Sequence, residues 1–357
     1  MFLLILIIII ILSKKQDLNI FKYYNSKYIC NTFLKLEDCD WSPKKLLSIL
    51  KKKILYIPFL KNKNNIDTCI YIEKHSDLLK QLNTQKSIIW RFIIYRENKS
   101  VLLVFQNHRS LCGGKERIWN IINYILDDPT LDIKQHNNKL KILDIINFKN
   151  YFNFLTHNTL FKLPSIFNSN NYSLYDKKYF TIKKFNLLAL KRFCLKYNCS
   201  INDFSICYVT YFLINNQKFL NKYINVFIPI YLNKDYTYYI LRIPNNFSNF
   251  YELLNYIKII TKKTVKNPII KYNTYINTKL VQILPNAIYL KMYEKILSKI
   301  DIFISNIPGF LKQRTFFGYH VENIYQVYNS YNCAIESGIS SYSNVLTISM
   351  NINEKFK

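Results

Sequence analysis

The chain has 357 residues, with 50 Lys+Arg against 22 Asp+Glu, a formal net charge of +28, and half of its residues hydrophobic. That apolar content excludes intrinsic disorder, and the length supports two domains, or one large one, around a real core. Only five glycines are present, which excludes collagen-like and Gly-rich-loop proteins, a dinucleotide fingerprint and a phosphate-binding P-loop.

Met1 to Leu12 is an unbroken apolar run, followed by Ser13, Lys14 and Lys15. As a helix it reaches roughly 18 Å, short of the ~30 Å hydrocarbon core, and it lacks the charge and cleavage site of a secretory signal. It reads as a stub of a longer membrane helix or a short anchor in one leaflet, and the lysines after it favour a cytoplasmic body. Residues 16–60 are mixed, with a helix in WSPKKLLSILKKKI that Ser42 caps and Pro43 starts. Residues 88–95 (IIWRFIIY) and 100–107 (SVLLVFQN) read as two strands of a hairpin turning at Glu97-Asn98-Lys99. Ile118, Ile121, Ile122 and Ile125 recur at helical spacing. Residues 132–180, rich in Asn and Lys, read as an inter-domain connection carrying a short helix.

In the second half, a helix is predicted over 183–197 with Leu187, Leu190, Cys194 and Tyr197 on one face. Another starts at Ser200, where Ser200-x-x-Asp203 is a capping box. Ile224–Ile230 is a near-continuous apolar strand, and helices are predicted over 248–264 and 286–299. The last strand alternates strictly, with Leu346, Ile348, Met350 and Ile352 facing one way and Thr347, Ser349 and Asn351 the other. Helices and strands alternate, an α/β mixture.

Arginine supplies seven of the 50 basic residues, so Lys dominates, with Asn, Ile, Tyr and Phe equally inflated. That is the bias of an AT-rich coding sequence, and much of the charge reads as solvated face. No basic cluster is tight enough to mark a nucleic-acid surface, and basic proteins are also drawn to anionic lipid and phosphorylated ligands. The eight cysteines include no C-x-x-C pair and no His at zinc-ligand spacing, which fits reduced thiols. In so Gly-poor a chain, Gly113, Gly114, Gly309, Gly318 and Gly338 mark places where no other residue fits.

Two of these places carry a resemblance. QNHRSLCGGK joins a strand to a helix, and SNIPG holds Ser305, Asn306, Pro308 and Gly309. Together they resemble the wax ester synthase / diacylglycerol acyltransferase family, which is similar in fold to chloramphenicol acetyltransferase and other CoA-dependent acyltransferases. The resemblance covers roughly 85–355. Trp90 stands for the Trp of the family's Pro-Leu-Trp segment, and Asn202-Asp203 for its Asn-Asp pair at a helix start. Pro229 in VFIPI matches a strand ending in Val-Pro. Ser305, Asn306, Pro308 and Gly309 match Ser-Asn-x-Pro-Gly-Pro, with Phe310 in place of the last Pro. Phe317-Gly318 and Ser341-Tyr342 follow in order.

The family's His-His-x-x-x-Asp-Gly motif is altered here, and two registers fit. In one, Asn107-His108 is the His pair, Cys112 replaces Asp, and Gly113 is the Gly. In the other, His108-Arg109 is the pair, Gly113 replaces Asp, and Gly114 is the Gly. Ser110-Leu111 and the phase of the following helix favour the second. The resemblance implies that the second His of the motif is the general base, and Arg cannot serve as one. His108 is therefore the candidate catalytic residue, with Arg109, Cys112, Gly113, Gly114, Asn202 and Asp203 structural at the site. Trp90, Ser305, Asn306, Pro308 and Gly309 are assigned to the substrate tunnel and its loop.

Taken singly, these residues also have plain structural roles. Asp203 suffices as a cap, and Ser305–Gly309 fits a β-turn. The resemblance implies a two-lobed α/β acyltransferase fold with an inter-lobe tunnel. Its parts are an apolar membrane-associated segment (1–13), a shortened N-terminal lobe (16–150), a connection (151–180) and a C-terminal lobe (181–357). It implies transfer of a fatty acyl group from acyl-CoA, a substrate rather than a cofactor, to a long-chain alcohol or diacylglycerol. No metal is implied. The expected partners are acyl-CoA, the acceptor and membrane lipid, with no nucleic acid, and the expected location is the endoplasmic reticulum membrane with the body cytosolic. The alternatives are a catalytically silent acyl-lipid-binding relative and, more remotely, a basic nucleic-acid-binding protein.

Overall fold

A computed structural model describes residues 29–37, 39–57, 60, 69–72, 90–97, 100–108, 115–128, 178–216, 221–232, 235–266, 297, 299–329 and 333–356. In chain order the first elements are β1 (Ile29–Leu36), α1 (Pro43–Ile54), β2 (Cys69–Ile72), β3 (Trp90–Glu97), β4 (Ser100–His108) and α2 (Lys115–Ile125). Next come β5 (Lys178–Asn186), α3 (Leu187–Lys196), α4 (Ile201–Ile214), β6 (Tyr223–Leu232), β7 (Asp235–Pro244) and α5 (Phe250–Lys266). The last are β8 (Ile302–Pro308), β9 (Thr315–Phe316), β10 (Tyr319–Asn329), β11 (Ile335–Tyr342) and β12 (Val345–Asn353).

The strands form two sheets of order β2-β3-β4-β1-β10-β9 and β5-β12-β11-β8-β6-β7. Residues 315–329, numbered within the predicted C-terminal lobe, hydrogen-bond into the first sheet, where β10 runs antiparallel to β1. The predicted hairpin is β3–β4, closing at Glu97 opposite Ser100. Ser42 caps α1 and Pro43 starts it, as expected. The predicted helix over 183–197 begins four residues late. Residues 183–186 belong to β5, paired with β12, and Asn186 is the cap, accepting from the Ala189 amide at 3.0 Å. Most of the predicted helix over 286–299 and of the 132–180 connection lies outside the described residues, as do residues 1–12. No helix among the described residues is long and apolar enough to cross a membrane.

Burial explains why the helices stack on the second sheet. INDFSICYVTYFLI is apolar on nearly every side, so α4 must be enclosed. Leu190 of α3 and Ile257 of α5 cover its flanks, and Val226, Ile304 and Ile348 of the sheet close the remaining side. Between the sheets, Trp90, Phe92 and Phe105 of the first meet Phe227 and Phe303 of the second in one core, joined by Trp119 of α2.

The two sheets are also joined by hydrogen bonds. Past its two-residue pairing with β9, β10 has no strand partner on one side among the described residues. Its carbonyls at Ile324, Gln326 and Tyr328 accept instead from Ser340 (3.3 Å), Ser349 and Asn351 (3.0 Å) of the second sheet. Buried carbonyls must find donors. The polar stripe of the last strand is thus buried, and its work is to satisfy a sheet edge. Gly338 permits the crossing, since a Cβ there would lie 2.3 Å from the Gln326 carbonyl oxygen.

Glu322 of β10 bridges Lys35 of β1 and Lys184 of β5, each at 2.7 Å. Burial alone would raise its carboxyl, but the hydrogen bonds from Lys184 and Lys35 outweigh it and hold the value below the usual one. A depressed folded value gives stability above the unfolded value of about 4.3 that is lost as pH falls through the folded one. Glu322→Gln should cost under about 1 kcal/mol at neutral pH, because all three groups are partly solvated. The difference from wild type should vanish in urea titrations run well below pH ~4.

Candidate active site

The SNIPG segment is extended rather than turned. Residues 302–308 form β8, held by parallel pairing with β11, so the predicted β-turn is replaced by strand. Pro308, last in the strand, has no N–H to lose, which lets it close a strand in the middle of a sheet. Gly309 follows because a Cβ would meet the Ser341 carbonyl oxygen at 2.3 Å. Phe310, in place of a second Pro, is buried edge-on against Trp119, ring centroids 5.3 Å apart.

The helix start of α4 comes to the same strand. Asn306 and Asn202, 104 residues apart, meet side chain to side chain, the Asn306 amide donating to Asn202 Oδ1 at 3.3 Å. Asn202 also hydrogen-bonds Tyr239 of β7, whose hydroxyl burial pushes up to about 12, partly offset by Asn202. Sequence reasoning missed Tyr239, whose only signal was a Tyr-rich strand.

Asp203 does what a capping box requires. Its Oδ2 accepts from the Ser200 amide at 2.9 Å, its own amide donates to Ser200 Oγ at 3.0 Å, and its Oδ1 accepts from Thr261 of α5 at 2.6 Å. It fixes the helix start that presents Asn202 and ties α4 to α5. Asp203→Ala should cost about 1–2 kcal/mol, since it removes the cap and the tie to Thr261, whose hydroxyl keeps the Ile257 carbonyl as acceptor at 2.8 Å. Guanidinium denaturation would measure it.

Ser305, buried, lies on the other side of the strand's path. The Tyr328 hydroxyl donates to Ser305 Oγ at 2.9 Å. Tyr328 is paired with Cys30 of β1, and Cys30 with Asn107 of β4, the residue before His108. Two inter-strand steps of about 4.8 Å separate the Tyr328 and Asn107 backbones. One hydrogen bond and two strand pairings thus link the segment carrying Ser305 to the end of β4. Trp90 sits opposite Asn107 in β3 and is buried in the inter-sheet core.

His108 ends β4, with its backbone paired to Ile29. Arg109, Cys112, Gly113 and Gly114 lie outside the described residues. Beside this strand end, Arg91, Gln106 and Asn31 form a buried row across β3, β4 and β1. Arg91 Nε donates to Gln106 Oε1 at 2.5 Å, and Gln106 Nε2 donates to Asn31 Oδ1 at 2.8 Å. Burial lowers the Arg91 guanidinium from its usual value. Among the described residues no group of three or more His, Cys, Asp or Glu is placed to hold a metal.

Residues 235–356 match the family model described as the WS/DGAT C-terminal domain. No curated protein sequence matches the chain. Among solved structures, the wax ester synthase/diacylglycerol acyltransferase from Marinobacter aquaeolei is similar at TM-score 0.61 and 12% identity, covering 96% of this chain and 93% of that one. Trichothecene 15-O-acetyltransferase from Fusarium sporotrichioides is similar at TM-score 0.61 and 10% identity, covering 95% and 89%. A variant of the starter condensation domain of rhizomide synthetase, solved with C8-CoA and Leu-SNAC, is similar at TM-score 0.51 and 10% identity, covering 98% and 87%. At such identities the likeness is one of fold, and it agrees with the two-lobed α/β fold that the resemblance implies.

Proposed function

From a chain with the CoA-dependent acyltransferase fold and a WS/DGAT C-terminal domain match over residues 235–356, we propose an O-acyltransferase that moves a fatty acyl group from acyl-CoA to a long-chain alcohol or diacylglycerol. The observation that carries the reading is the meeting of Asn202 and Asn306. Two segments that resemble the family's helix-start and Ser-Asn-x-Pro-Gly elements meet in that contact.

In this reading His108 takes the proton of the acceptor hydroxyl as its oxygen attacks the thioester carbonyl. The new C–O bond forms, the C–S bond breaks, and the sulfur of CoA leaves with a proton returned by the imidazolium. Asn202 and Asn306 shape the mouth of the inter-lobe tunnel, and Trp90 lies in its apolar wall. No metal or redox group takes part. The acceptor is a lipid, which fits a membrane location at the endoplasmic reticulum with the body on the cytosolic side.

The second reading, a silent acyl-lipid-binding relative, is favoured by the Arg109 and Gly113 replacements in the motif. The test is release of CoA thiol from palmitoyl-CoA with hexadecanol or diacylglycerol as acceptor, the ester identified by mass. Ester formed in proportion to thiol released supports the enzyme. Palmitoyl-CoA bound with no ester from either acceptor establishes the silent relative.

A further inference from the structure

Of the ten large hydrophobic side chains most exposed among the described residues, five lie on two helices, α3 and α5. Leu195 is 81% exposed, Ile259 63% and Tyr251 48%. The two helices are neighbours at this point. Tyr197, which ends α3, stacks on Tyr251 at the start of α5 with ring centroids 5.0 Å apart, and Lys258 Nζ donates to the Tyr197 carbonyl at 3.4 Å. The helices touch at this Tyr pair, with Leu195 two residues before it on α3 and Ile259 eight residues beyond it on α5.

The charge around them is one-sided. The sequences of α3 and α5 carry seven Lys or Arg and one acid, Glu252. Lys191, Arg192, Lys196, Lys262 and Lys263 are exposed. Ile259, Lys262 and Lys263 are neighbours at helical spacing, so cations border the apolar residues directly. Aliphatic and aromatic groups ringed by lysine form the pattern of a helix face lying in a bilayer interface: rings sit at headgroup depth and ammonium groups meet lipid phosphates.

We infer that the joined face of α3 and α5 docks on an anionic lipid leaflet, independently of the apolar residues 1–12 and of whether the chain is catalytic. Leu195, Tyr197, Tyr251 and Ile259 enter the interface, and the flanking lysines and Arg192 take the headgroup charge. Each cation near such a surface strengthens binding several-fold, and the gain is screened by salt.

The experiment is co-sedimentation of the full chain with phosphatidylcholine vesicles, with and without phosphatidylserine, in low and high salt. Lys262→Glu with Lys263→Glu should weaken binding to the phosphatidylserine vesicles by about tenfold or more. Leu195→Ser with Ile259→Ser should weaken it by about tenfold and make the remainder more salt-sensitive. Lys44→Glu with Lys52→Glu, exposed on α1, reverses the same charge elsewhere and should change binding less than twofold. Amide exchange should slow on vesicle binding at 191–197 and 251–263. Equal loss in the α1 control, no loss in either patch pair, or the same protection produced by an oligonucleotide instead of vesicles would overturn the inference. The patch variants should melt like wild type and keep CoA release with detergent-dispersed acceptor, so a failed membrane assay and a failed activity assay remain distinct.

Discussion

His108→Ala is expected to lower ester formation from palmitoyl-CoA by about 10²–10⁴, the usual value of a positioned general base. Palmitoyl-CoA affinity should change little, because the imidazole acts on the acceptor proton. Arg109→Ala separates the two registers of the motif. If Asn107-His108 is the pair, His108 holds the position of the base and Arg109 lies outside the chemistry, so only His108→Ala abolishes turnover. If His108-Arg109 is the pair, a cation fills the place of the base and His108 works from one residue earlier, on the opposite side of an extended chain. Turnover is then low in wild type, and Arg109→His should raise it. A pH–rate profile adds a readout that a structural role would not move: the acidic limb should disappear in His108→Ala. Full activity in His108→Ala would end the assignment.

The largest effect on stability is expected at Gly338. An alanine Cβ there would stand 2.3 Å from the Gln326 carbonyl oxygen and 2.9 Å from Ser349 Oγ. A serine hydroxyl can rotate, but a backbone carbonyl in a paired strand cannot move without shifting β10. Gly→Ala in an unstrained strand would favour folding by up to about 1 kcal/mol through the unfolded chain. Overpacking against backbone costs about 1–3 kcal/mol or more, so the clash decides the sign. Gly338→Ala should lose about 3 kcal/mol in urea unfolding, where the loss of hydrogen bonds along the β10 edge adds to the clash. Ser349→Ala in the same chain should not restore it, because the carbonyl is the obstacle. Recovery in that double variant would place the conflict at the hydroxyl instead.

Much of the local structure was legible because its signals are local. Ser42-Pro43 and Ser200-x-x-Asp203 state helix starts in side-chain chemistry, and both helices begin there. The scarcity of glycine made the survivors informative. Gly309 and Gly338 sit against carbonyl oxygens, and Gly318 follows Phe317 in a two-residue turn where both have positive φ. The misreadings came from signals that tertiary structure overrode. Residues 183–186 run without a break into helical spacing, and only Asn186, a good cap, marked the boundary. Pro-Gly suggested a turn at 308–309, but pairing with β11 holds the segment extended. The contact of Asn202 with Asn306 spans 104 residues, and no sequence pattern encodes a meeting at that range. The resemblance supplied both residues without the hydrogen bond between them.

The way β10 is held has a consequence for how the protein can be divided. Its residues come late in the chain, yet one side of the strand is completed by β1 and the other by hydroxyl and amide groups of β11 and β12. A fragment beginning at residue 178 would carry β10 without β1, leaving unpaired the eight β10 residues that pair with β1 and open to association with another chain. A fragment ending before 178 would lose β9 and β10 from its own sheet. Each piece alone leaves part of a sheet unpaired, so the halves are expected to fold and unfold together, and a break in the chain is expected to be tolerated only where both pieces are present to dock on each other.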